Sequence, residues 1–194
     1  MKNRINVTRN QLDDLVNTLV ENLNYSDSSV DYPNIDEAKS DDGVVAEWFY
    51  PIYNGTNDFS ELTAIHMYVN QETEFEEIGQ LMLGIGMTEM KHYSKIGDLI
   101  KRLGGKIDQR YNNTGVTIGK SIVEALNIAY DAEVKTIVFY ENLSDKIEKV
   151  KSTKTTEIAL QLIAKLIADE KVHMRLLEDK IAEFSTETNV DLNE

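Results

Sequence analysis

Residues 61–105 read ELTAIHMYVNQETEFEEIGQLMLGIGMTEMKHYSKIGDLIKRLGG, and two features of this stretch decide the architecture. The first is Glu89-Met-Lys-His92, a carboxylate and an imidazole three positions apart, which on a helix share one face. Glu89 follows Ile85 by four residues and Leu81 by eight, and His92 precedes Ile96 by four and Leu99 by seven, so both stand on the apolar stripe. Charged groups on a core stripe demand partners. The second feature is punctuation. Thr73 and Glu76 have capping-box spacing and Gly104-Gly105 is a stop, which predicts a helix from Thr73 to Leu103, preceded by one from about Phe59 to Gln71.

The second half of the chain repeats this arrangement. Glu170-Lys-Val-His173 sits on a stripe marked by Ile163, Ile167 and Leu177. The helices before each Glu-x-x-His also match: Glu61, Ile65 and Tyr68 are spaced as Glu133, Ile137 and Tyr140 are, and Glu133 follows Ala129 by four and Leu126 by seven. The order is Glu, Glu-x-x-His, Glu, Glu-x-x-His, the signature of two related helical hairpins. Helices are predicted from about Thr117 to Val150 and from about Thr155 to Phe184, with a turn at the polar KSTKT of residues 151–155. In an antiparallel hairpin, residues at one height are equidistant from the turn. The midpoint of 61 and 89 is 75, and that of 133 and 170 falls between 151 and 152, so the pairing and the punctuation agree. One long crossover must join the hairpins, and residues 104–116 would span roughly 40 Å if extended.

Outside the bundle, residues 1–58 form an extension. A short amphipathic helix is predicted over 9–23, with Leu12, Leu15, Val16, Leu19, Val20 and Leu23 on one stripe and Thr8 and Gln11 able to cap it. Residues 24–42 are polar, acidic and turn-rich, and are expected to be a surface connection without chemistry. The aromatic VVAEWFYPIY of residues 44–53 is expected to pack on the bundle, ahead of a turn at NGTND, 54–58. Residues 59–184 are the bundle and 185–194 a frayed, flexible tail.

Composition narrows the chemistry. A formal net charge of −14 disfavours nucleic acid, which requires a basic face. No run of about 20 apolar residues spans a membrane, and the first residues lack the apolar core of a secretion signal, so a cytoplasmic protein is expected. There is no cysteine, so any metal is held by oxygen and nitrogen.

The ligand pattern resembles that of the ferritin-like di-iron and di-manganese carboxylate proteins, in which two helices each give a Glu and two give Glu-x-x-His. Within that superfamily SELTAIHMY (60–68), EMKHY (89–93) leading into LIKRLGG, and DEKVH (169–173) are most similar to small bacterial manganese-catalase-like and bacterioferritin-like proteins, spore-coat members included. The resemblance covers about residues 60–184. It implies an all-α, ferritin-like four-helix bundle with Glu61, Glu89, His92, Glu133, Glu170 and His173 as ligands of two divalent ions, Mn or Fe, and with Glu89 and Glu170 as bridges. Four carboxylates and two neutral imidazoles would balance the two ions. Asp169 is the expected acceptor of the outer ring N–H of His92. Thr88, which holds the matching place in the other half, is a weaker partner, so the two metal positions are expected to differ. Tyr68 and Tyr140 are expected in the core or behind the ligands.

Three other residues have plainer readings. Asp58 could close a capping box with Glu61, Glu124 lies nine residues before Glu133 and misses the height of the site, and His66 falls outside the pattern.

By resemblance, the expected activity is that of a manganese-catalase or peroxidase acting on hydrogen peroxide. Without cysteine there is no rubredoxin-type iron to serve as electron donor. The alternative is a ferroxidase or iron-storing protein acting with dioxygen, and the non-enzymatic option is a spore-coat or structural bundle stapled by metal. Related proteins also imply a homo-oligomer, a dimer or larger.

Overall fold

The computed structural model describes residues 24–40, 43–107 and 116–190, with side chains through Ser185. The helix expected over 9–23 and the last four residues lie outside that range. All regular structure among the described residues is helical: a short α1 (Tyr50–Asn54), then α2 (Glu61–Glu74), α3 (Gly79–Arg102), α4 (Ile122–Glu148) and α5 (Lys154–Val190), with single 3-10 turns at Ile35–Glu37, Ala46–Trp48 and Glu76–Ile78. None of the described helices is long and apolar enough to cross a membrane.

The helix ends follow local chemistry. Ser60 caps α2, its hydroxyl accepting from the Thr63 N–H at 3.3 Å and donating to the Gly55 carbonyl at 2.9 Å. Asp58, the alternative partner for Glu61, instead forms an ion pair with Lys135. The break between α2 and α3 falls at Phe75 (φ −124°, ψ 89°), where the hairpin pairing puts it. Thr73 is not a cap, because it stays in the last turn of α2 and its hydroxyl donates back to the Val69 carbonyl at 3.0 Å. At the end of α3, Gly104 (φ +81°) takes the left-handed conformation. The Gly104 N–H reaches the Lys101 carbonyl at 3.1 Å and the Gly105 N–H the Ile100 carbonyl at 2.9 Å, a Schellman closure.

α4 begins at Ile122 rather than near Thr117. Gly119 (φ +86°) turns the chain, Ser121 caps the Glu124 N–H at 3.3 Å, and the Glu124 carboxylate accepts the Lys120 N–H at 2.9 Å. Glu124 is thus an exposed end-of-helix residue, as its height implied. α5 opens with a reciprocal cap between Thr153 and Thr156 and runs on to Val190, past the expected end at Phe184, since neither Gly nor Pro follows to stop it. Replacing Ser60 by alanine is expected to cost about 1 kcal/mol and to lower the melting temperature by about 2–4 °C, read by thermal unfolding followed by circular dichroism.

Two hairpins, α2–α3 and α4–α5, pack with antiparallel partners. Tyr68 of α2 meets Glu133 of α4 while Tyr140 of α4 meets Glu61 of α2, so these two helices run in opposite directions. α3 and α4 are therefore parallel, and the connection between them must travel the length of the bundle, as a four-helix bundle with one crossover requires.

The core is divided. One apolar cluster contains Ile96, Leu99, Leu143, Ile147, Leu162 and Leu166, and the segment before α2 packs against it through Val44, Phe49, Ile52 and Tyr53. The other contains Met67, Ile78, Met82, Ile85, Leu126 and Leu177. Between them, along every helix, lies a layer of buried charge.

Candidate metal centre

Each of the four long helices delivers a carboxylate into that layer, and α3 and α5 add an imidazole one turn on. Glu61, Glu89, His92, Glu133, Glu170 and His173 are all at most 3% exposed. The six residues singled out from the sequence are all brought together. They form two overlapping groups, Glu61, Glu89, His92 and Glu170 on one side and Glu89, Glu133, Glu170 and His173 on the other, with donor atoms in each group within 4.8 Å of one another.

The shared members have bridge geometry. Glu89 turns Oε2 toward His92 Nδ1 (3.1 Å) and Oε1 toward His173 Nδ1 (3.0 Å). Glu170 does the same with Oε1 (3.2 Å) and Oε2 (2.9 Å). Glu61 and Glu133 are terminal, each 3.6 Å from the Nδ1 of its own histidine. Each is steadied by a tyrosine hydroxyl from the opposite hairpin, Tyr140 on Glu61 and Tyr68 on Glu133. The crossing follows from helix rise: seven residues along one helix is roughly 10 Å, too far for a tyrosine to reach its own glutamate.

The donor set fits two divalent ions. Glu61 Oε2, Glu89 Oε1 and Glu170 Oε1 are buried carboxylate oxygens without a hydrogen-bond donor, a costly arrangement that cations would relieve. The imidazoles are set for ligation. His173 Nε2 faces the Tyr25 carbonyl at 2.9 Å, and since a carbonyl can only accept, Nε2 carries a proton and Nδ1, which faces the carboxylates, is the nitrogen a metal ion would take in exchange for any proton there. His92 Nε2 faces Asp169 Oδ2 at 3.1 Å, the contact expected from the sequence, with the same result. Thr88 does not stand behind a histidine; its hydroxyl lies 3.4 Å from both the Tyr25 and the Gly84 carbonyls.

In the absence of cations the layer holds protons. Burial, and then the charge on Glu89, drives the Glu61 carboxyl well above the usual carboxylate range, while burial with the charges of Glu170 and Glu89 pushes Glu133 up to about 8. Burial would raise Glu89 too, but the two imidazoles hold it below that range. Burial opposes charge on His92 and His173, yet the acidic groups around them raise both well above an ordinary histidine. Asp169 stays low despite burial, held by His92 and Lys165.

Within the stretch 24–42, expected to carry no chemistry, residues 25–32 form the back wall of the centre. Besides the Tyr25 carbonyl, Ser26 Oγ (2.8 Å), the Asp27 N–H (2.6 Å) and Tyr32 Oη (3.1 Å) all donate to Asp169. Buried Lys165 joins them, with Nζ 2.9 Å from Asp169 Oδ1 and 2.6 Å from the Asp27 carbonyl. Lys165 had a sequence signal: it lies on the core stripe seven after Ile158 and four before Asp169. The carbonyl had none. His66 lies half-buried and outside the cluster.

Comparison with known proteins agrees with this geometry. The family profile described as the ferritin-like domain matches residues 60–185, which take in the four long helices except the last residues of α5 and leave out residues 24–32. A bacterioferritin from Desulfovibrio desulfuricans is 27% identical over 124 residues, which cover 61% of this chain and 66% of that relative, just under two thirds of its length.

Proposed function

The chain belongs to the ferritin-like domain family, and from that premise we propose that it is a binuclear iron protein that oxidises Fe(II) with dioxygen, a ferroxidase of the bacterioferritin kind. The observation that carries this reading is the pair of four-donor groups sharing Glu89 and Glu170. Similarity to a bacterioferritin tips the choice toward iron and away from the manganese-catalase reading expected from the sequence, which would use the same six residues as ligands.

Two Fe(II) ions held by these six residues would supply one electron each, enough with two protons to reduce one dioxygen to hydrogen peroxide. The protein's part is positional. Glu89 and Glu170 would hold the two ions at one separation, and Glu61 and Glu133 would each close one end. Tyr140 and Tyr68 fix the terminal carboxylates by occupying one oxygen of each. The apolar clusters above and below exclude bulk water, which strengthens every electrostatic contact inside.

The test is oxygen uptake by metal-free protein given two Fe(II) per chain, set against oxygen release from peroxide by the manganese-loaded form. Rapid uptake of about one dioxygen per pair of iron ions supports the proposal. Peroxide breakdown by the manganese form with slow iron oxidation would return the assignment to catalase, and neither activity would leave a metal-stapled structural bundle.

A further inference from the structure

The two halves of the centre offer the same residue types and are unlike in what stands behind the histidines. Both bridging glutamates offer one oxygen to each side, and both terminal glutamates are held by a tyrosine. Behind His92, however, is the Asp169 carboxylate, and behind His173 a main-chain carbonyl, that of Tyr25. That carbonyl belongs to residues 24–32, which lie outside the family match and run between α3 and α5.

The seat of this segment is built into the helices. Gly84 leaves room for the Tyr25 ring, since a Cβ at that position would overlap it. The Tyr25 hydroxyl lies 3.3 Å from the Gln80 carbonyl, and Tyr32 and Ser26 both end on Asp169. The Lys165 ammonium group lies 5.0 Å from the centre of the Tyr32 ring and ties the segment to α5.

We propose that residues 24–32 are a working part of the metal centre, with Tyr25 as the positioning residue for His173, and that the His173 position consequently fills second and more weakly than the His92 position. An imidazole whose outer N–H donates to a carboxylate is a stronger base at its other nitrogen than one donating to a neutral carbonyl, and such outer partners are worth about 10- to 100-fold in metal affinity. At the terminal glutamates Tyr68 takes the Glu133 oxygen that faces His173, whereas Tyr140 leaves Glu61 Oε2 to face His92, so both differences favour the His92 position. The inference rests on the two-ion reading of the site, but not on iron or on oxidation.

The experiment is anaerobic titration of the full metal-free chain with cobalt(II), followed by calorimetry and by the visible cobalt bands. A carbonyl cannot be mutated, so the docking of Tyr25 is the handle. Gly84→Ala places a methyl group where the ring sits, while alanine itself favours the helix. Tyr25→Ala removes the ring and adds nothing to the helix. Tyr25→Phe keeps ring and carbonyl and loses only the hydroxyl. The wild type is expected to take one cobalt per chain and then a second about tenfold or more weaker. In Gly84→Ala and Tyr25→Ala the second step weakens by a further tenfold or more while the first step and its spectrum hold, and Tyr25→Phe matches the wild type. Two equal steps in the wild type, or variants that weaken both steps alike or neither, overturn the inference. A protein that binds no cobalt at all overturns the two-ion reading and the inference with it.

Discussion

Glu170→Gln is expected to abolish the paired metal site and to lower the stability of the metal-free fold. The substitution keeps the volume of a fully buried side chain but exchanges two anionic oxygens for one neutral one. Because Glu170 serves both groups, each position loses a ligand and the two lose a bridge. The loss should exceed the 10- to 100-fold typical of outer partners, so Fe(II) oxidation is expected to fall at least about 100-fold. The metal-free fold should weaken as well. In the metal-free layer Glu61 and Glu133 hold protons and both imidazoles are charged, so the substitution takes from His92 and His173 a carboxylate that lies 3.2 and 2.9 Å away. Oxygen uptake and thermal unfolding of the metal-free variant measure the two effects separately. A variant that oxidises iron normally would show that Glu170 is not a ligand.

The second large effect is the dependence of metal stabilisation on pH. Two ions bound at about 100 times their dissociation constants add about 5 kcal/mol, or roughly 10–20 °C in melting temperature for a chain of this size. Between pH 5 and 8 that gain should grow. The folded-state pKa values of Glu61, Glu133, His92 and His173 are all raised. For groups raised in the folded state, the stability they lend is present below their unfolded pKa and is lost as pH climbs through the folded value, near 8 for Glu133. Glu89 and Asp169 are shifted the opposite way, but their window lies below about pH 4.5, under the unfolded carboxylate range. The metal-free protein therefore weakens as pH rises from 5 to 8, while the metal-bound form, whose ligands are already deprotonated, does not. Melting curves at pH 5.5 and 8.0 with and without metal measure the difference. A metal-induced shift that shrinks toward pH 8 would contradict the charge assignment.

What could be read from the sequence was whatever obeyed helical period. Glu89, His92, Glu170 and His173 announce themselves as charges on apolar stripes, Glu61 and Glu133 as a repeat, and the hairpin turn at Phe75 follows from arithmetic on their positions. Asp169 behind His92 came with the resemblance. The helix ends were less legible, because capping residues compete: Thr73 fits a cap by spacing but its hydroxyl is taken by Val69, and Ser121 with Glu124 displaces the start expected near Thr117. The crossed pairing of Tyr68 and Tyr140 needs the relative direction of α2 and α4, which no single helix encodes.

Residues 24–32 were the least visible, because their main contribution is a carbonyl, which every residue carries. Only the departures around them carry a trace, in a buried lysine at 165, a threonine where the other half has an aspartate, and a glycine at 84 that costs the helix about 1 kcal/mol. Each has a partner in that segment or in the residue it supports.

The most direct test of the central claim is a count of metal ions per chain. Metal-free protein is titrated anaerobically with Fe(II), freed of excess by gel filtration and assayed for iron against protein concentration, beside Glu170→Gln. Two irons per wild-type chain, with the variant retaining fewer than one, is the expected result. A wild-type chain that retains none, or a variant that retains as many as the wild type, would show that the buried layer of carboxylates and imidazoles is not a binuclear metal site.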